Sequence, residues 1–162
     1  MLAGKLNFGI PDVDLTWSCG GTVNPSCFAG HQVAVLFLPT DPQRQAEEFR
    51  SYEKLGDDFA GSDAWFLVIG TSPTEGDHKY KTPIAYDRDN IAWTAFTQLE
   101  RPDQSVLSRP EGAVFLFTRG GGLQRVWAGA GHADEVVHDL KENAWLATPK
   151  TSAAQSLDQD YE

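Results

Sequence analysis

Sulfur is scarce in this chain. Of 162 residues, one is methionine and two are cysteine, Cys19 and Cys27. Two cysteines are too few for a disulfide-stapled scaffold, and they do not form a Cys-x-x-Cys pair, so free thiols are the default expectation. Positive charge is also short. There are 13 Lys plus Arg against 23 Asp plus Glu, a formal net charge of −10, which repels phosphate backbones and anionic lipid surfaces. Neither a nucleic acid nor a membrane is an expected partner. No segment approaches the roughly 18 apolar residues of a membrane helix, and the opening from Met1 to Ile10 lacks the apolar run of a signal peptide, so a cytoplasmic protein is expected.

Metal and hydrolase motifs are missing as well. His31, His78, His132 and His138 are scattered rather than spaced as ligands. Asp87, Arg88, Asp89 and Asn90 open like a calcium loop, but Ala92 stands where glycine is needed and Gln98 where the closing glutamate belongs. Gly120 to Gly122 lie between two strand-like runs, which makes a turn and not a phosphate cradle. No Gly-x-Ser-x-Gly occurs. No metal or other cofactor is expected.

What the chain does have is apolar and aromatic mass. It is 41% hydrophobic, with nine Phe and five Trp, enough for a packed domain that buries roughly 68–70% of its unfolded surface. One domain over residues 1–147 is expected, followed by a flexible tail over 148–162 with no apolar period. Val33 to Leu38 is a continuous apolar run closed by Pro39, suited to a strand covered on both faces. Asp41 and Pro42 then supply an N-cap and a proline for the first helical position, and Ala46, Phe49, Tyr52, Leu55 and Phe59 recur at helical spacing. Glu47 and Glu48 read as its solvated face.

Ala64 to Ile69 and Pro83 to Tyr86 are further strands. Between Asp87 and Leu99 a short helix is expected with Ile91, Ala92, Ala95, Phe96 and Leu99 facing inward. Gln98 to Glu111 reads as a loop. Ala113 to Phe117 and Leu123 to Trp127 flank the triple glycine as a β-hairpin, and a last helix begins near Ala133 with Val136, Val137, Leu140 and Ala144 as its stripe. Together with an N-terminal hairpin turning at Gly20 and Gly21, the order is that of an α/β, thioredoxin-like fold: a central mixed sheet flanked by helices.

Ile10-Pro-Asp-Val-Asp-Leu15, Gly20, Phe28-Ala-Gly30 and Val33 to Pro39 follow the spacing of Pro-Asp-Phe-x-Leu, Gly, Phe-x-Gly-Lys and Val-Val-Leu-Phe-Phe-Tyr-Pro. With Asp87 to Phe96 and Ala113 to Gly121, they resemble the alkyl hydroperoxide reductase and thiol-specific antioxidant branch of the peroxiredoxins over residues 8–145. That resemblance implies a peroxidatic cysteine in a Thr-x-x-Cys segment, in the first turn of the helix after the main strand. There N–H groups, a threonine and an arginine lower the thiol pKa so that the thiolate attacks peroxide.

This chain departs from that pattern at its centre. The corresponding stretch is Thr40 to Glu48, and the cysteine position falls on Ala46, or on Gln45 with one residue deleted. Neither forms a sulfenic acid. The arginine before the hairpin strand maps onto Gly112, with Arg109 able to reach back if the loop bends, and Gly112 or Ala113 replaces the cis-proline. The segment from Gly70 to Asp87 is rebuilt around Asp77 to Tyr80.

The vacated site thus comprises Thr40, Asp41, Gln43, Arg44, Gln45, Ala46 and Arg109, with no catalytic residue assigned. Arg44 and the helix N–H groups are its expected donors toward a small polar or anionic ligand. Cys19 and Cys27, one on each strand of the N-terminal hairpin, are packing residues, a cross-hairpin disulfide or a redox pair. Two functions follow. One is a non-catalytic domain that binds a protein partner or small ligand, with a homodimer through its aromatic surface as one form of this. The other is a thiol-dependent oxidoreductase that uses Cys19 and Cys27.

Overall fold

Every position from Val33 to Leu38 is apolar, so the period of two that sorts a strand's side chains onto two faces is hidden in the sequence. In the computed structural model of the chain it becomes visible. Val33, Val35 and Phe37 enter one core layer, and Ala34, Leu36 and Leu38 enter the other. The structure describes residues 9–18, 20–54, 64–70, 84–99, 106–120 and 122–142. Cys19, Leu55, Phe59, His78, the Asp77 to Tyr80 segment, Gly121, Ala144 and the tail from 148 lie outside those residues.

The elements run β1 (Leu15–Trp17), β2 (Thr22–Val23), β3 (Gln32–Phe37), α1 (Pro42–Lys54), β4 (Ala64–Gly70), β5 (Ile84–Tyr86), α2 (Ile91–Thr97), β6 (Ala113–Phe117), β7 (Leu123–Ala128) and α3 (Ala133–Glu142). Short 3-10 turns cover Pro25–Phe28 and Arg88–Asn90. The strands form one seven-stranded sheet in the order β2-β1-β5-β4-β3-β6-β7. β3 pairs parallel with β4, and β4 with β5, while every other pairing is antiparallel.

Covered strands need partners on both faces, and the helices provide them. α1 and α3 put Phe49, Tyr52, Val136, Val137 and Leu140 on the Leu36 face. α2 puts Ala92 and Phe96 on the Phe37 face, joined by Ile10 and Leu15 from the N-terminal segment. That second layer is aromatic. Phe37, Phe96 and Phe115 meet edge to face at 5.2–5.7 Å between ring centres, the arrangement their quadrupoles favour.

Three expectations are corrected. Glu48 is not solvated: only 4% of it is exposed, because it stands on the same helix face as Phe49 and Tyr52. Ile91 points outward and is 59% exposed, since the inward stripe of α2 runs through Ala92 and Phe96, four residues apart on one face. Cys27 is not on a hairpin strand. It lies in the Pro25–Phe28 turn, beyond β2, with a free, exposed thiol.

Candidate functional site

The expected site is where β3 gives way to α1. Leu38 N–H still donates to Ile69 O, prolonging the sheet by one bond, and Thr40 N–H donates to Pro110 O at 3.1 Å. α1 then starts at Pro42, whose missing N–H costs nothing there. The Asp41 carboxylate accepts from Arg44 N at 3.1 Å, and Asp41 O accepts from Gln45 N at 2.8 Å. The cap therefore comes from the chain itself.

Two further side chains of this stretch, Gln45 and Arg44, are also engaged. Gln45 Nε2 donates to Pro39 O at 3.2 Å, so the amide closes back on the turn that precedes its own helix. Arg44 leaves the site for Glu111, with Nη2 to Oε1 at 2.7 Å. That pair holds the Glu111 carboxyl below its ordinary range, through the hydrogen bond first and charge second. Arg44, expected as a ligand donor, is thus spent on a surface ion pair. Thr40 and Gln43 are exposed, and Ala46 is half-buried.

Arg109 reaches the site in its place. Ser108 to Gly112 form a tight turn, with Glu111 N and Gly112 N both 3.1 Å from Ser108 O, and this bend turns Arg109 back toward β3. Its Nη1 donates to Leu38 O. Its guanidinium carbon lies 5.5 Å from the ring centres of both Phe37 and Trp93, positions from which each ring face attracts the cation. The rings themselves meet edge-on at 5.1 Å. Nε and Nη2 are shielded from solvent and have no hydrogen-bond partner among the described residues. These two nitrogens form the side edge of the guanidinium, which receives a carboxylate or phosphate two-pronged. Burial lowers the Arg109 pKa, and the Asp87 charge pulls it partly back.

Asp87 is itself buried and committed: its oxygens accept from Ala92 N at 2.8 Å and Trp93 N at 2.9 Å. It caps α2 and so fixes Trp93. Gly112 packs where the arginine was expected. A Cβ there would stand 2.4 Å from Phe37 O, so only glycine lets the two backbones approach this closely. Phe37, Asp87, Trp93, Glu111 and Gly112 belong to the site without having been assigned to it. Asp87 and Gly112 carried local signals, as a cap and as the aligned position of an arginine.

Cys27 is far from all of this. It precedes the N-terminal end of β3, whereas the site lies at its C-terminal end. Six strand residues separate the two ends by roughly 20 Å at about 3.3 Å per residue. No cysteine follows Cys27 in the sequence. Among the described residues, no cluster of three His, Cys, Asp or Glu suits a metal ion, and no helix is long and apolar enough to cross a membrane.

No protein-family model matches the chain, and no curated protein matches it. Solved structures do. Peroxiredoxin Q from Xanthomonas campestris superposes with a TM-score of 0.67 at 21% identity, over 88% of this chain and 95% of that one. The fold is thioredoxin-like, and this peroxiredoxin shares it. The bacterioferritin comigratory protein of the same organism, described for its alkyl peroxide reduction activity, gives 0.63 at 21% identity over 86% and 92% of the two chains. Peroxidoxin BcpB of Mycobacterium tuberculosis gives 0.65 at 18% identity over 82% and 94%. In this fold the start of α1 carries the amide of Gln45 and the methyl group of Ala46; Arg44 of its first turn is paired with Glu111, and the guanidinium of Arg109 reaches in from the loop to Leu38 O.

Proposed function

We propose that this peroxiredoxin-fold domain does not reduce peroxides through a thiolate at the start of α1, and that it binds a small carboxylate or phosphate-like anion on Arg109. The observation that carries this reading is the Nε–Nη2 edge of Arg109, buried and unpartnered among the described residues, beside a helix start without sulfur. A buried donor left unsatisfied costs about 1–3 kcal/mol. A guanidinium with two such donors is stabilised by an oxyanion that takes both. Phe37 and Trp93 supply apolar walls, and Asp87 is too occupied with the α2 N–H groups to act as the counter-ion by contact.

Two measurements test this. Fully reduced protein is mixed with hydrogen peroxide, and peroxide and intact mass are followed together; neither is expected to change beyond slow oxidation of exposed thiol. Rapid peroxide loss accompanied by loss of two hydrogens, abolished by Cys27→Ser, would sink the non-catalytic reading and favour a thiol oxidoreductase. Thermal unfolding is then compared in acetate, phosphate and chloride at equal ionic strength. Acetate or phosphate should raise Tm, as any ligand of the native state does, and Arg109→Met or Arg109→Lys should remove the rise. Equal Tm in all three salts would overturn the anion site.

A further inference from the structure

Outside that site, one buried carboxylate stands out. Glu48, in the middle of α1, is 4% exposed. Its Oε1 accepts from Gly131 N at 2.9 Å, tying α1 to the turn between β7 and α3. Its Oε2 is buried with no partner among the described residues. The two cations whose charges act on Glu48 are His132 and Arg44, and both are bonded elsewhere. His132 lies 2.6 Å from Glu135 Oε1 and 3.0 Å from Ala128 O, and Arg44 lies 2.7 Å from Glu111 Oε1. One oxygen of a buried carboxylate is thus left without a donor, a condition that native structures rarely leave uncorrected.

Between α1 and the start of α3 lies a cleft of about 250 Å³, lined by Ser51, Lys54, Gly131, Ala133 and Asp134. Ser51 follows Glu48 by three residues on the same face of α1, and Gly131 on the facing wall is the partner of Oε1. The carboxylate therefore stands at the inner end of the cleft. The polar groups around it are of two kinds. Glu48 and Asp134 are acceptors for a cation. Lys54 is a donor, and α3 opens at Ala133, so the N–H groups of its first turn, which find no carbonyl within their own helix, lie along the same wall.

We infer that this cleft binds a small zwitterion of the free amino acid class, whose ammonium group donates to Glu48 Oε2 and whose carboxylate is taken by Lys54 and the first N–H groups of α3. A cation alone would meet Lys54 unfavourably, and an anion alone would meet Glu48 and Asp134. A molecule that carries both charges a few bonds apart answers both sets. The volume sets the size, since it falls just short of the roughly 300–1,000 Å³ typical of sites for drug-sized ligands. A short side chain fits and a folded peptide does not.

The full chain, labelled with ¹⁵N, is titrated at neutral pH and constant ionic strength with glycine, ethylammonium and acetate. Glycine should shift the amides of Ser51, Gly131 and Asp134 saturably, and ethylammonium and acetate should each act more weakly. Glu48→Gln still accepts from Gly131 N but places an amide where the ammonium group needs a carboxylate. It should weaken glycine by about tenfold or more, the loss of one charge-assisted bond. Lys54→Met should weaken glycine by about two- to fivefold and leave ethylammonium unchanged. Arg109→Met should change neither, which separates this cleft from the anion site of Arg109. Absent or unsaturable glycine shifts, undiminished binding in Glu48→Gln, or acetate acting as strongly as glycine overturns the zwitterion site, and so do glycine shifts that vanish in Arg109→Met.

Discussion

Gly112 shows how one residue decides whether the site can exist. Its φ is +83°, and a Cβ would meet Phe37 O at 2.4 Å and Pro39 N at 3.1 Å. Both objections to a side chain apply at once: the left-handed backbone costs an L-residue roughly 1–2 kcal/mol, and forcing the strands apart costs roughly 1–3 kcal/mol more. Gly20 provides the control, with φ of +100° but nothing within 4 Å of the added atom. Gly112→Ala should therefore lower stability by about 3 kcal/mol or more, and Gly20→Ala by only roughly 1–2 kcal/mol. Denaturant unfolding of the two variants separates the terms. Equal losses would mean that the backbone conformation alone matters and that the approach to Phe37 is loose. The fault at Gly112 would also reach Arg109, since both belong to one turn.

At the scale of elements, α2 shows what local pattern can and cannot specify. Asp87 was legible as a cap, and it does receive two N–H groups of the helix. The inward face was partly legible: Ala92 and Phe96 are fully buried, whereas Ile91 is 59% exposed. Asp89 and Asn90, with φ of 59° and 57°, lead into the helix through left-handed backbone that no apolar pattern reveals. Phe96→Ala should thus cost about 3–5 kcal/mol, and Ile91→Ala should stay within about 0.5 kcal/mol. A large loss in the Ile91 variant by the same unfolding measurement would mean that its side chain is covered after all.

The strands, the start of α1 and the hairpin of β6 and β7 were readable because each depends on neighbours in sequence. Glu48 was not, because a glutamate in mid-helix reads as part of the solvated face, and only the turn that packs over it, through Gly131 N, buries it. The Arg109 cluster was not either. The cap on α2 is local, but Phe37, Trp93 and Arg109 meet only through the antiparallel pairing of Phe37 with Ala113, which cannot be derived from one segment alone.

The whole molecule adds the problem of edges. A seven-stranded open sheet has two, and each is a row of unpaired N–H and C=O groups that invites another chain. One edge is β2, only two residues long; the other is β7, which carries Arg125 and a register shift against β6. The N-terminal hairpin covers β5, pairing Thr16 with Tyr86 and Trp17 with Ala85, while Ser18 N–H donates to Ile84 O at 2.7 Å. It also delivers Ile10 and Leu15 to the aromatic layer. Removing residues 1–23 should expose the outer edge of β5, promote self-association and weaken cooperative unfolding. Because β5 leads into Asp87, and Asp87 fixes Trp93 over Arg109, the same deletion should also abolish any acetate- or phosphate-dependent rise in Tm. Light scattering and salt-dependent melts of the shortened chain check both consequences. If the truncated protein stays as dispersed as the full chain and keeps its response to anions, the hairpin neither guards the sheet nor supports the site.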